Sequence, residues 1–279
     1  MSAPTAHCAA DAAGNIVLDL AGDPGDPGAA SELVLRRRGG RTPADEVRLR
    51  LTGRRAVLDH GTPVAEGRWD IVHVAEHGDR EGQPVRPGAR DVRALVDRVP
   101  GDGPVTVRVP YPTADGRLAV RSWVRSPHAE AGAIHLADGA MTVRGVLYGA
   151  EPGHGAAAEA RCGTGSRESG TAPRTHRVPL TGGPGGGFGF TLPYAALAGR
   201  PVTARQFWDL WLLPSPGAPA VRLARILDDV WDRGNVYVYP AHRADGWLAA
   251  PCYSGDNNLR VRLDPAGPAV RGATSRTAP

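Results

Sequence analysis

Arg68-Trp69-Asp70-Ile71 returns as Phe207-Trp208-Asp209-Leu210, a displacement of 139 residues (209 − 70). Successive side chains of a strand point to opposite faces, so each step puts a tryptophan toward a core and an aspartate toward water. Two further matches keep the same order. Ala89-Arg90-Asp91-Val92 resembles Ala224-Arg225-Ile226-Leu227, and Ala114-Asp115-Gly116-Arg117-Leu118-Ala119 resembles Ala244-Asp245-Gly246-Trp247-Leu248-Ala249, the last at a displacement of 130 (245 − 115). The repetition reads as one β-rich unit copied and joined end to end, with loops inserted between the anchors.

Short alternating runs extend from these anchors in both directions. Glu46 to Leu51 sets Val47, Leu49 and Leu51 against Glu46, Arg48 and Arg50, a half-buried strand with a polar outer face. In the first half, strands are expected at 15–20, 32–36, 46–51, 69–74, 92–96, 105–109 and 118–124. In the second half they are expected at 133–136, 141–148, 157–161, 188–192, 207–213, 221–227, 236–239, 247–250 and 258–263. Both Asp-Gly pairs, 115–116 and 245–246, are hairpin signals because glycine tolerates positive φ. A short helix at 91–99 or 224–231 competes with the strand reading there. The expected fold is all-β, as two tandem immunoglobulin-like antiparallel β-sandwich domains. They would span residues 14–126 and 127–264, with disordered ends at 1–13 and 265–279 and long loops at 163–175 and 181–187.

The 279 residues carry 37 glycines and 26 prolines, spread between apolar runs as turns require. All 33 basic residues are arginine and none is lysine, a bias that a GC-rich, actinobacterial genome produces. The formal charge is only +4, with arginines alternating along strands and balanced by acids, so no nucleic-acid face is indicated. Cys8, Cys162 and Cys252 stand far apart with no CxxC pair, which suggests neither a zinc ribbon nor a disulfide framework. No secretory signal opens the chain and no apolar run of about 18 residues is present. The expectation is a soluble, reduced, cytoplasmic protein.

The motifs that could carry chemistry are sparse. His73-Val74-Ala75-Glu76-His77 has the inverted zinc-protease pattern, but on a strand the two histidines lie about 13 Å apart, too far for one metal. Thr181-Gly182-Gly183-Pro184-Gly185-Gly186-Gly187 lacks the Gly-Lys-Ser/Thr of a phosphate loop, and Pro184 removes an amide. No G-x-S-x-G occurs, and no histidine neighbours Cys162 or Cys252. No cofactor and no metal are therefore implied. Aromatic residues gather in the second half, and strand alternation would set Tyr237 and Tyr239 on one face beside an arginine-rich sheet.

Trp208-Asp209, Arg225-Ile226 and the closing run Tyr253-Ser254-Gly255-Asp256-Asn257-Asn258-Leu259-Arg260-Val261 carry a resemblance. In that order they resemble the immunoglobulin-like accessory domains found beside glycosyltransferase and glycerophosphotransferase modules of actinobacterial wall-polymer enzymes. The likeness covers 206–263 well and 68–124 weakly, and it brings no catalytic residues with it. It implies a non-catalytic carbohydrate- or protein-binding accessory module working with glycosylation or wall-polymer transferases. Its partner would be a glycan, a small-molecule ligand or a transferase. The alternative is a small transferase or cyclase of natural-product biosynthesis, with a site on the second sandwich or between the two. A third reading pairs sandwich edges between copies as a homo-oligomer. The candidate binding residues are Asp209, Arg225, Tyr237, Tyr239, His242, Tyr253 and Asn257, of which all but Asn257 would also serve the enzyme reading. A deep pocket with shifted titratable groups would favour the enzyme, and a shallow platform the module.

Overall fold

The computed structural model describes residues 3–21, 31–75, 81–96, 98–163, 173–199 and 201–266. The chain forms two compact units, one of Met1–His128 with Arg225–Trp231, the other of Ala129–Ala224 with Asp232–Pro279. The strands of unit 1 are β1 (Thr5–Ala10), β2 (Ile16–Leu20), β3 (Ser31–Arg37), β4 (Glu46–Arg50), β5 (Arg55–Leu58), β6 (Gly67–Ala75), β7 (Gln83–Pro84), β8 (Arg86–Asp91), β9 (Val105–Pro112) and β10 (Leu118–Arg125). Those of unit 2 are β11 (His128–Ala137), β12 (Ala140–Tyr148), β13 (Ala157–Cys162), β14 (Arg174–Pro179), β15 (Thr181–Gly182), β16 (Gly187–Pro193), β17 (Gln206–Leu213), β18 (Val221–Ala224), β19 (His242–Ala244), β20 (Trp247–Tyr253) and β21 (Leu259–Pro265).

Unit 1 packs a sheet of order β5-β2-β1-β8 against one of order β4-β3-β6-β10-β9. One core proves the sandwich. Ala6, Ile16, Leu18 and Leu58 of the first sheet share a cluster with Leu33, Leu35, Trp69, Ile71 and Val120 of the second. Unit 2 has a related plan, with layers β16-β12-β11-β18 and β14-β13-β17-β21-β20 and with Met141, Val143 and Phe190 packed against Trp208, Leu210 and Val261, but here β18 also pairs with β17, so the two layers join into one continuous sheet. Among the described residues each unit has one parallel pairing, made by its first strand: β1 with β8 and β11 with β18.

The register establishes which anchors of the repeat correspond. Trp69 lies opposite Val120, which lies opposite Pro110. Trp208 lies opposite Val261, which lies opposite Pro251. The two tryptophans therefore hold equivalent places in the middle strand, and both are almost fully buried. The same register corrects the Ala-Asp-Gly match. Asp115-Gly116 turns β9 into β10, whereas Asp245-Gly246 turns β19 into β20. The counterpart of the first turn is Asp256-Asn257 between β20 and β21, where Asn257 takes φ of 57°. A hairpin turn needs the same chemistry wherever it occurs, so the match is convergent. The match between 89–92 and 224–227 falls at the equivalent strands β8 and β18, though out of register.

Several local expectations fail for stated reasons. The N-terminus is not disordered up to residue 13, because β1 sits between β2 and β8 with Ala6 and Cys8 in the core. Residues 92–96 are no strand: Arg93–Leu95 is a single 3-10 turn burying only Leu95. Residues 236–239 follow the 3-10 turn Arg233–Asn235 without joining a sheet, and the apolar side chains of Val236 and Val238 are exposed. The glycine-rich run 181–187 is a built connection containing β15 and a 3-10 turn at Pro184–Gly186. A Cβ on Gly186 (φ 76°) would lie 2.2 Å from the Leu147 carbonyl oxygen. The loop expected at 163–175 lies largely outside the described residues, as do His77 and nearly all of the tail 265–279, while Arg174 already begins β14.

Because each tryptophan plugs the centre of one sandwich, Trp69→Ala and Trp208→Ala should each cost about 3–5 kcal/mol in urea unfolding. Phe207→Ala, at the neighbouring outward position and 44% exposed, should cost about 1 kcal/mol or less. Equal losses at Trp208 and Phe207 would contradict the register.

Candidate functional site

Inward positions of β17 carry Trp208, Leu210 and Leu212, leaving Phe207, Asp209 and Trp211 on the outer face. Pairing places outward residues of neighbouring strands beside them. Arg161 of β13 lies opposite Asp209, and Glu159 opposite Trp211. Arg177 of β14 lies opposite Glu159. Arg260 of β21 lies opposite Asp209, and Arg222 of β18 opposite Trp211.

The result is a grid in which each of three carboxylates is held by two arginines. Glu159 pairs with Arg161 and Arg177. Asp209 pairs with Arg222 at 2.8 Å and with Arg260. Asp264 pairs with Arg262 at 2.8 Å and with Arg205 at 2.5 Å. Among the described residues of the grid six cations meet three anions, an excess of three positive charges. The carboxylates are the recessed partners, at 3–17% side-chain exposure against 26–66% for the arginines, so guanidinium edges make up the outermost layer.

The rings on this face are covered by the same arginines. The Arg161 and Arg222 guanidiniums sit 4.7 and 5.0 Å from the Trp211 ring centre, reaching it from the strands on either side of β17. The Arg260 guanidinium is 5.6 Å from Phe207. Cation–π contact of this kind orders the guanidinium planes and leaves Trp211 poorly placed to stack a neutral sugar. In unit 1 the equivalent Asp70 pairs with Arg38, whose Nη2 and Nε donate to Oδ1 at 2.6 and 2.9 Å and whose Nε also reaches Oδ2 at 3.1 Å.

Of the residues singled out from sequence, only Asp209 belongs to this grid. Tyr237, Tyr253 and Asn257 gather instead around Arg233, which the sequence reading missed and which is completely buried. Its guanidinium lies 4.5 Å from the Tyr237 ring centre and 5.5 Å from that of Tyr253, and its amide donates to Asn257 Oδ1 at 2.9 Å. Tyr239 packs on Tyr253 with ring centres 6.3 Å apart. This cluster fastens the 233–235 turn to the β20–β21 hairpin. It is a packing lock rather than an open platform, and Asp-Arg-Gly-Asn reads locally as an exposed turn, so no local signal marked Arg233 as buried. His242 lies elsewhere, between the rings of Tyr194 and Trp247 at 6.1 and 5.8 Å. Arg225 belongs to unit 1, where it faces Asp228 at 3.7 Å.

Other chemistry is weakly supported. Among the described residues no three His, Cys, Asp or Glu side chains converge as metal ligands. Burial pushes the Cys8 thiol up to about 12 and raises that of Cys252, which suits packing rather than nucleophilic attack. No helix among the described residues is long and apolar enough to cross a membrane. A cleft of about 590 Å³ beside β12, β15 and β16 is open and is lined by one cation, Arg144, and otherwise by neutral residues such as Thr142, Phe188, Phe190 and glycines, with no carboxylate, histidine or cysteine.

Glu159 is the deepest ion of the grid. Burial alone would raise its pKa, but hydrogen bonds from Arg177 and Arg161 overcome this and hold it below the ordinary glutamate value of 4.5. A carboxylate with a depressed folded pKa stabilises fully above its unfolded value and loses that contribution as pH falls through the folded one. Glu159→Gln should therefore lower stability at pH 7 by about 1 kcal/mol, since Arg177 is largely exposed, and flatten the acid limb as pH falls below the ordinary value of 4.5. Parallel stability–pH curves for the two proteins would show that the pair contributes nothing.

No protein-family model matches the sequence, and no curated protein does. Among solved structures the chain is similar to S. aureus TarS, with a TM-score of 0.36 and 15% identity over 61% of this chain and 29% of that one. A second structure, of TarS 217-571, gives 0.37 and 13% over 61% and 46% respectively. This chain thus matches less than half of either TarS chain, and at these scores no residue role carries over.

Proposed function

We propose that this chain is a non-catalytic binding module that presents the outer β14-β13-β17-β21 face of unit 2 to an anionic glycan, as an accessory to glycosylation or wall-polymer transferases. The observation that carries the reading is the grid of six arginines over three recessed carboxylates. Guanidinium edges held in place by neighbouring acids and rings bind carboxylate, sulfate or phosphate with little further loss of side-chain entropy. Neutral sugars need a bare ring face, and Trp211 does not offer one. Single-stranded nucleic acid needs the same bare faces, so it is disfavoured on the same ground. The enzyme alternative draws less support, since the unit 2 cleft lacks paired acid and base groups.

The test compares polygalacturonate with its neutral methyl ester by calorimetry. The acid form should bind, weaken steeply with salt and weaken by about tenfold or more in the Arg161→Gln/Arg222→Gln double variant. Arg93→Gln, on an exposed arginine of unit 1, should leave affinity unchanged. Equal binding of the ester, or full retention by the double variant, would refute the reading.

A further inference from the structure

Arg108 is a buried arginine met by backbone carbonyls. It is 5% exposed, on β9, yet no carboxylate lies within ion-pair distance among the described residues. Its Nη1 donates to the Asp59 carbonyl at 2.8 Å and its Nη2 to the Thr62 carbonyl, while Nε is buried without an acceptor. Asp59 itself turns its carboxylate to the Gly61 amide at 2.7 Å and acts on Arg108 only at longer range. Two carbonyls solvate the cation but do not neutralise it, and burying an uncompensated charge costs several kcal/mol. Burial accordingly presses the Arg108 pKa down, and the charge of Arg98 adds to that pressure.

The same residue lines a cleft of about 730 Å³, within the size range of small-molecule sites. The remaining wall is largely apolar, made by Val47, Pro63, Val64, Ala65 and Val124. Val124 is 38% exposed although it is aliphatic. Of the other charged residues on the wall, Glu46 and Arg48 are paired with each other at 3.3 Å, Glu46 also with Arg36 at 2.9 Å and Arg48 also with Glu32 at 3.0 Å. His60 stands at the rim, exposed. Arg108 is thus the charged wall group left without a counter-ion.

We propose that this cleft of unit 1 binds a small amphiphilic anion, its apolar body on Val47, Pro63, Val64, Ala65 and Val124 and its single anionic head supplying the counter-ion that Arg108 lacks. The site is separate from the sheet face of unit 2, and neither reading depends on the other. A carboxylate and a phosphate monoester head would satisfy the same arginine, and they come from different sources, a fatty acid or an alkyl phosphate.

The probe is 8-anilinonaphthalene-1-sulfonate, which joins fused rings to one sulfonate, with neutral 1-anilinonaphthalene as control. Fluorescence titration of the full chain should give saturable binding of the sulfonate at one site and about tenfold or more weaker binding of the neutral ring. Decanoate and decyl phosphate should compete, and their relative potency distinguishes the two sources. Arg108→Gln should weaken the sulfonate by about tenfold or more and largely erase the preference over the neutral ring. Because Arg108 also holds the 59–62 loop, a second variant, Ala65→Trp, fills the cleft while leaving that arginine in place. It should abolish binding while the far-ultraviolet dichroism and the thermal unfolding midpoint of the parent chain are preserved. Unchanged affinity in Ala65→Trp overturns the proposal whether or not Arg108→Gln folds, and so does equal affinity for the charged and neutral probes.

Discussion

The fold depends on the burial of one indole at the centre of each middle strand. Trp69 and Trp208 contact both sheets of their sandwich, and the period of two along a strand then forces the following aspartate outward. An acid in the centre of a sheet face cannot sit in open water, because strands on both sides crowd it. It has to be met by cations from those strands. The arginines around Asp70 and Asp209 are the consequence of the tryptophans, and the surface chemistry of each unit begins there.

From this shared start the two units diverge. In unit 1 Asp70 pairs with Arg38, and other acid–arginine contacts within the strands of that sheet are more exposed, as with Glu46 between Arg36 and Arg48. In unit 2 Asp209 takes two arginines, and Glu159 and Asp264 repeat the pattern on each side. Each added arginine is stiffened by a carboxylate or a ring rather than left to sweep through solvent. That stiffness distinguishes the grid from a scatter of surface charge, for an exposed isolated ion pair is worth about 1 kcal/mol or less. The rings act here as supports for guanidiniums. An aromatic cluster that looks in sequence like a stacking platform becomes, once folded, a cationic one.

Buried arginine is the other recurrent device, and it is solved differently in each place. Arg233 is enclosed by two tyrosines beside Asn257 and fastens a turn to a hairpin. Arg108 is enclosed by backbone carbonyls that leave its charge standing at the wall of an apolar cleft. With no lysine available, every buried cation in this chain carries a planar fork of donors, which carbonyl oxygens and ring faces can satisfy without an acid.

Alternation made most of the architecture legible in the sequence. The runs around Glu46–Arg50, Trp69, Trp208 and Arg260 specify strands, faces and an all-β sandwich because side-chain direction follows from position alone. The Trp-Asp step also placed the internal repeat correctly, since a buried indole constrains one spot in a sheet. The Ala-Asp-Gly match misled because a turn is a local object, obeying the same backbone rule in any hairpin. Local propensity also failed for Val236–Tyr239, whose apolar, β-branched composition suits a strand but which found no partner to pair with. Which arginine meets which acid was beyond local reading altogether. Asp209 meets Arg260 across 51 residues and Arg108 meets the Asp59 backbone carbonyl across 49, and such partners are chosen by sheet register and loop closure. The sequence by itself determined which way each side chain faces; the tertiary structure alone decided what it faces, because pairing between distant strands is a property of the assembled sheets.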